Sequence, residues 1–121
     1  MSIIYSSVSR SDVVLAEHTK FVGNFTQIAR NLLKKVTEAG KKTFTYTDYK
    51  FHIFNQNNVS YLCICDGSFS DEIAFTFLKE AQIRFSNIYN SEEINQFHSY
   101  QLTEFSEVLQ QLTVNIEIKL A

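Results

Sequence analysis

Proline is absent from this sequence, glycine occurs only three times, and nowhere do serine, glycine or like charges gather into a block. Those absences exclude the usual materials of a flexible linker, a repeat junction or a low-complexity tail. With 121 residues, 45% of them hydrophobic and 20% charged, the chain has the size of one ordinary domain. It can bury roughly two-thirds of the surface its unfolded form exposes. Excess basic charge is missing too. A formal net charge of -2 offers no field for a phosphate backbone, so nucleic acid is not an expected partner. Lys34, Lys35, Lys41 and Lys42 make only a local patch of the kind that a helix C-terminus attracts through its dipole.

Long apolar runs are also lacking. The longest fall far short of the roughly 18 residues a membrane helix needs, and no charged-then-apolar N-terminus reads as a signal peptide. Ser2 stands where myristoylation requires glycine, and Lys119-Leu120-Ala121 is no prenylation box. The sequence therefore predicts a soluble chain with no direct membrane insertion. Cysteine is limited to Cys63 and Cys65. Two apart on a strand, they point to one face but lie too far along it for an easy bridge. Both are expected to be reduced, buried and unligated, in a reducing compartment.

Reaction chemistry finds little to build on. His18, His52 and His98 add zinc-site residue types to the cysteines, but C-x-C lacks the spacing of a zinc pair and no second pair matches it. Nothing local lowers a thiol pKa, and Asp66-Gly67 reads as the turn before a helix. Phosphate loops, the G-x-S-x-G elbow and H-E-x-x-H do not occur. Asp71-Glu72 and Glu92-Glu93 each fall at an expected helix start, where the macrodipole accounts for them. No catalytic residue, metal or cofactor is expected, and the chain is not expected to be an enzyme.

What is present is periodicity, and it changes along the chain. Ile3-Ile4-Tyr5 with Val8, then Val13 to Ala16 across an Arg10-Ser11-Asp12 turn, reads as a hairpin. These strands are apolar at consecutive positions and so should be covered on both faces. From Asn24 to Val36 the apolar residues Phe25, Ile28, Ala29, Leu32, Leu33 and Val36 recur at helical spacing. Asn24 is placed to cap this helix and Gly40 to turn left-handed after it. Thr43 to Thr47, Tyr49 to Phe54 and Val59 to Cys65 then predict a meander, with Gln56-Asn57-Asn58 as a turn. Phe69 to Ile88 returns to helical period with Ser68 or Ser70 as cap, and a last helix is predicted over about 103–112. The tail fits two periods at once: Val114, Ile116, Ile118 and Leu120 alternate like a strand, whereas Leu112, Ile116 and Leu120 fit i, i+4. The order β-β-α-β-β-β-α-α is that of an α+β protein, a five-stranded antiparallel sheet with one helix on one face and two on the other.

In this order the chain resembles the longin domain, the N-terminal domain of long vesicle-associated R-SNAREs of the tetanus-insensitive type. The residues that carry the likeness are Ile3-Ile4-Tyr5 with Arg10, Val14-Leu15-Ala16-Glu17-His18, Gly23-Asn24-Phe25, Phe44-Thr45-Tyr46, Phe51-His52, Tyr61 to Asp66, Ala74 to Leu78, Arg84-Phe85 with Tyr89, and Glu104-Phe105-Ser106 with Val108-Leu109. The resemblance implies a profilin-like α/β/α sandwich over residues 1–112, with 113–121 a C-terminal tail or the start of a linker to a missing SNARE motif. It further implies a regulator of membrane fusion and sorting at the cytosolic face of vesicle or endomembrane compartments. Such a domain binds its own SNARE motif, a SNARE-motif peptide or trafficking regulators in a hydrophobic groove between the first helix and third strand. Phe44 and Tyr46 hold the matching strand positions here, and Ile28, Leu32 and Leu33 are the helix residues expected nearest them. The chain ends at Ala121 with neither a SNARE heptad repeat nor a membrane anchor, as in an excised domain or a longin-only protein. The alternatives are a longin-fold subunit of an adaptor or tethering complex and a small-ligand sensor.

Overall fold

β1 (Ile3–Arg10) turns through Ser11 and Asp12 into β2 (Val13–Thr19), with Ser11 taking the positive φ of the turn, 53°. The computed structural model describes residues 2–21 and 23–120, of residue 120 the backbone alone; Ala121, the end of the predicted tail, lies outside them. Along the hairpin Val8 pairs with Ala16 but Ser9 with Val14. Leu15 is thus the extra residue of a bulge, and Leu15 and Ala16 pack in the same core cluster.

α1 (Phe25–Lys35) follows and links β2 to β3 (Gly40–Tyr46), the two opposite edges of the sheet. The helix buries Ala29 and Leu33 against Tyr5, Phe51, Ile53, Leu62 and Ile64. Asn24 stands at the expected capping position but makes no side-chain cap bond. Its backbone, at φ -94° and ψ 30°, is not the extended conformation that aims a side-chain oxygen at the free amides. Gly40 has the left-handed φ expected of it, 107°. β3 begins there and ends at Tyr46, whereas the sequence predicts strand from Thr43 to Thr47. Thr47 instead enters the turn to β4 (Tyr49–Gln56) with φ 53°.

β4 reaches β5 (Val59–Asp66) through Asn57 and Asn58, both at positive φ, the conformation that two-residue hairpin loops require. The order is β2-β1-β5-β4-β3, and every neighbouring pair is antiparallel. α2 (Asp71–Ile88) is capped by Ser70, whose Oγ accepts from the Ile73 amide at 3.3 Å; Ser68 instead donates its hydroxyl to Asp66 at 2.6 Å. α3 (Ser91–Ile94) is a single turn closed by an Asn90–Glu93 capping box.

α4 (Thr103–Leu120) resolves the ambiguous tail as helix. It runs past the predicted end near Leu112 because burial beyond that point follows the helical period. Thr113 is buried and donates its hydroxyl to the Leu109 carbonyl at 2.8 Å, and Ile116 packs on the core, whereas Val114 and Ile118 are exposed. α2 and α4 together cover the face opposite α1, over a core that includes Val8, Tyr61, Phe77, Phe85, Phe105 and Leu109.

Candidate functional site

The two edges of the sheet are treated differently. β2 is sealed by the chain leading into α4: the Tyr100 amide donates to the Val14 carbonyl at 2.7 Å and the Leu102 amide to the Leu15 carbonyl at 3.1 Å. The Glu17 amide donates to the Ser106 hydroxyl at 3.3 Å. β3 ends the sheet on the other side, and every residue of it after Gly40 is exposed. An unpaired row of backbone donors and acceptors is therefore open there, a template for another strand.

Beside that edge runs a groove of about 190 Å³ lined by Ile28, Asn31, Leu32, Lys35, Phe44 and Phe51. Ile28 and Leu32 are half-buried on the α1 wall. Phe44 is 39% exposed on the strand wall, directly across from the buried Phe51. Tyr46, 63% exposed, shares the strand face with Phe44 and stands edge-on to Phe51 with ring centroids 6.5 Å apart. Four of the five predicted residues thus line or border this groove. Leu33 does not: it is 2% exposed and belongs to the core beneath α1. The helix turns Ala29 and Leu33 toward the sheet and Ile28 and Leu32 toward the groove, a distinction of about 100° per residue that an apolar stripe blurs. Phe51, Asn31 and Lys35 are the residues that sequence reasoning missed. The short Thr47-Asp48 turn sets the register that pairs Phe44 with Phe51 and was the available signal for the first.

Both ends of α1 are pinned, so the groove wall is preformed. In the first turn Thr26 donates to the Glu17 carboxylate at 2.9 Å, and Glu17 also accepts from the Tyr5 hydroxyl. Burial and the Glu17 carboxylate together hold the Tyr5 proton far above the usual phenol range. After the last turn, the Asn55 side-chain amide donates to the Val36 and Glu38 carbonyls at 3.1 and 2.9 Å, tying the α1–β3 connection to β4. On the opposite face of β3, Thr43 Oγ1 meets His52 Nδ1 at 3.0 Å. His52 is fully buried, and desolvation lowers its pKa against the pull of Asp71, whose Oδ1 lies 3.9 Å from Nε2.

Among the described residues no group of three His, Cys, Asp or Glu side chains converges in a way that could hold a metal. Cys63 and Cys65 are free and fully buried with sulfurs 3.8 Å apart, and burial pushes the Cys63 thiol up, away from the nucleophilic thiolate. Among the described residues, no helix is long and apolar enough to cross a membrane.

The family model "Longin: Regulated-SNARE-like domain" matches residues 15–109. The chain is 36% identical over 110 residues to vesicle-associated membrane protein 7 of Mus musculus and of Homo sapiens, covering 90% of this chain and 50% of each relative. It is 35% identical over 113 residues to vesicle-associated membrane protein 7B of Dictyostelium discoideum, covering 93% of this chain and 44% of that one. The chain thus spans about half the length of the curated relatives it matches. With a matched region that takes in most of both walls of the groove and the sheet between them, the chain belongs to the longin family.

Proposed function

We propose that this chain is the regulatory protein-binding domain of a vesicle-trafficking R-SNARE, holding a SNARE motif, its own or another's, or a segment of a trafficking regulator in the α1–β3 groove. The observation that carries this reading is the contrast between the edges: β2 is closed by the chain's own backbone, while β3 presents Phe44 and Tyr46 to solvent beside an apolar channel. Edge pairing supplies backbone affinity, and the aromatic and aliphatic walls select apolar anchors at alternate positions. The relatives are named as vesicle-associated membrane proteins, and by this likeness the chain works at the cytosolic face of vesicle or endomembrane compartments, controlling fusion and sorting by occupying or freeing the groove.

Calorimetric titration with an R-SNARE-motif peptide tests the reading. Each central aromatic anchor contributes about 1 to 3 kcal/mol to such an interface. The variant carrying Phe44→Ser and Tyr46→Ser should therefore bind at least about tenfold more weakly while keeping its circular dichroism spectrum. Unchanged affinity in the folded double variant would place binding elsewhere.

A further inference from the structure

Arg10, one of the residues that carry the longin likeness, takes no part in the α1–β3 groove. It is half-buried at the end of β1, and its Nη1 donates to the Ile94 and Phe97 carbonyls at 2.5 and 2.9 Å. These two bonds tie α3 and the segment after it to the sheet, and they hold the guanidinium in one orientation. The other edge of the group, Nε with Nη2, makes no hydrogen bond among the described residues. No described carboxylate lies within ion-pair distance of it, Asp12 in the adjoining turn included.

Arg10 lines a recess of about 430 Å³ at this end of the sheet. The walls are the α1–β3 connection at Thr37 and Ala39, the β4–β5 turn at Asn57 and Asn58, and Asn95 after α3. Amides and hydroxyls make up most of the lining, and among the described residues that form it Arg10 carries the only charge. The C-terminal end of α1 adds partial negative charge nearby, but Lys34 and Lys35 in its last turn complement it. A cation without a counter-ion therefore sets the sign of the recess. The turn asparagines have a backbone reason to be there, since both take the positive φ that asparagine tolerates. The spare edge of Arg10 has no such reason, because the ties to α3 use Nη1 alone.

We infer that this recess is a second binding site, one that takes an acidic side chain of a partner polypeptide. Nε and Nη2 lie side by side and match the two oxygens of a carboxylate, the bidentate geometry that makes arginine the preferred partner of planar anions. The surrounding side-chain amides, which both donate and accept, pair with the neighbouring peptide groups. A polypeptide suits the shape, because Asn57, Asn58 and Asn95 are exposed and leave the recess open, whereas small-molecule pockets enclose most of their ligand. The recess shares no lining residue with the α1–β3 groove, so the inference is independent of the groove reading.

Two blocked pentapeptides test it, Gly-Ser-Glu-Ser-Gly and its counterpart with glutamine in place of glutamate, each titrated into isotope-labelled protein and followed by NMR. The glutamate peptide should shift the backbone amides of Ser11, Asn57, Asn58 and Asn95 saturably. It should bind about tenfold more tightly than the glutamine peptide, as for hydrogen bonds that gain a charge. Arg10→Gln should abolish the difference. Because that change also frees α3, Asn95→Asp serves as the second variant: it keeps Arg10 and its carbonyl bonds, puts a carboxylate into the wall, and should weaken the glutamate peptide by a similar factor. Phe44→Ser with Tyr46→Ser should leave both affinities unchanged. Equal binding of the two peptides, no binding by either, shifts confined to α1 and β3, or full affinity in the folded Asn95→Asp variant overturns the inference. Sodium acetate binding as tightly as the glutamate peptide, with the same shifts, overturns it too, by making this a site for a small anion.

Discussion

Phe44 and Phe51 face each other across the β3–β4 ladder, yet Phe44 is 39% exposed and Phe51 only 3%. The same side chain on the same face of one sheet therefore has two jobs, set by whether α1 covers it. Removing Phe51 leaves a cavity under the helix, so Phe51→Ala should lower stability by about 3 to 5 kcal/mol. Phe44→Ala should cost at most about 1 kcal/mol, as for an exposed position. Urea denaturation checks both, and comparable losses would make Phe44 a core residue.

This asymmetry also marks where the sequence was legible. The change from period two to period 3.6 and back is written in side-chain hydrophobicity, and it delivers the order of the major elements without coordinates. Leu33 and Leu32 carry no such label. They are chemically identical and adjacent, and only the rotation of α1 against the sheet decides that one is core and the other a groove wall. The same holds for the tail, where Val114 and Ile118 imitate a strand because solvent-facing apolar residues add false alternation to a helix. Asn24 shows a third limit: a residue type suited to capping is no guarantee of the backbone angles that make a cap.

A dependence on pH follows from His52. Its pKa is lowered in the folded chain, first by desolvation, while the unfolded chain has a value near 6.5. Above about 6.5 the imidazole is neutral in both states and stability is at its full value. As pH falls below this the unfolded chain takes up the proton first, so stability is lost until the folded pKa is passed. Unfolding free energy measured between pH 7 and 5 should fall more steeply in the wild type than in His52→Gln. His18, whose pKa is lowered by burial and by Lys20, contributes equally to both proteins and cancels. Parallel slopes would show that His52 takes no part.

Glu17 joins three elements through one carboxylate, accepting from Tyr5 on β1 and Thr26 on α1. Glu17→Ala strands the buried Tyr5 hydroxyl, which should cost about 1 to 3 kcal/mol. Adding Tyr5→Phe removes the stranded group, so the double variant should lose less than the sum of the two single changes. Hydrogen exchange should also quicken in the first turn of α1, where Thr26 bonds to Glu17 of β2. Strict additivity in the cycle would mean the hydroxyl finds another partner.

The C-terminal half of α4 decides where the folded unit ends. The family resemblance implies a domain over 1–112 with 113–121 as a tail or the start of a linker, and periodicity alone leaves that tail open between strand and helix. Thr113 is fully buried, Ile116 packs on the core between α2 and the sheet, and Glu117 pairs with Lys20 beside β2. Burial of an isoleucine-sized side chain contributes on the order of 2 kcal/mol, and a helix shortened at residue 112 also exposes the core beneath it. Truncation after Leu112 should therefore lower unfolding free energy by about 2 kcal/mol or more. It should also raise hydrogen exchange along β2, which α4 covers. Val114→Ser with Ile118→Ser, which alters only the exposed stripe, should leave the midpoint of denaturation nearly unchanged. An unaltered midpoint in the truncated chain would instead make residues 113–120 a linker that happens to be helical.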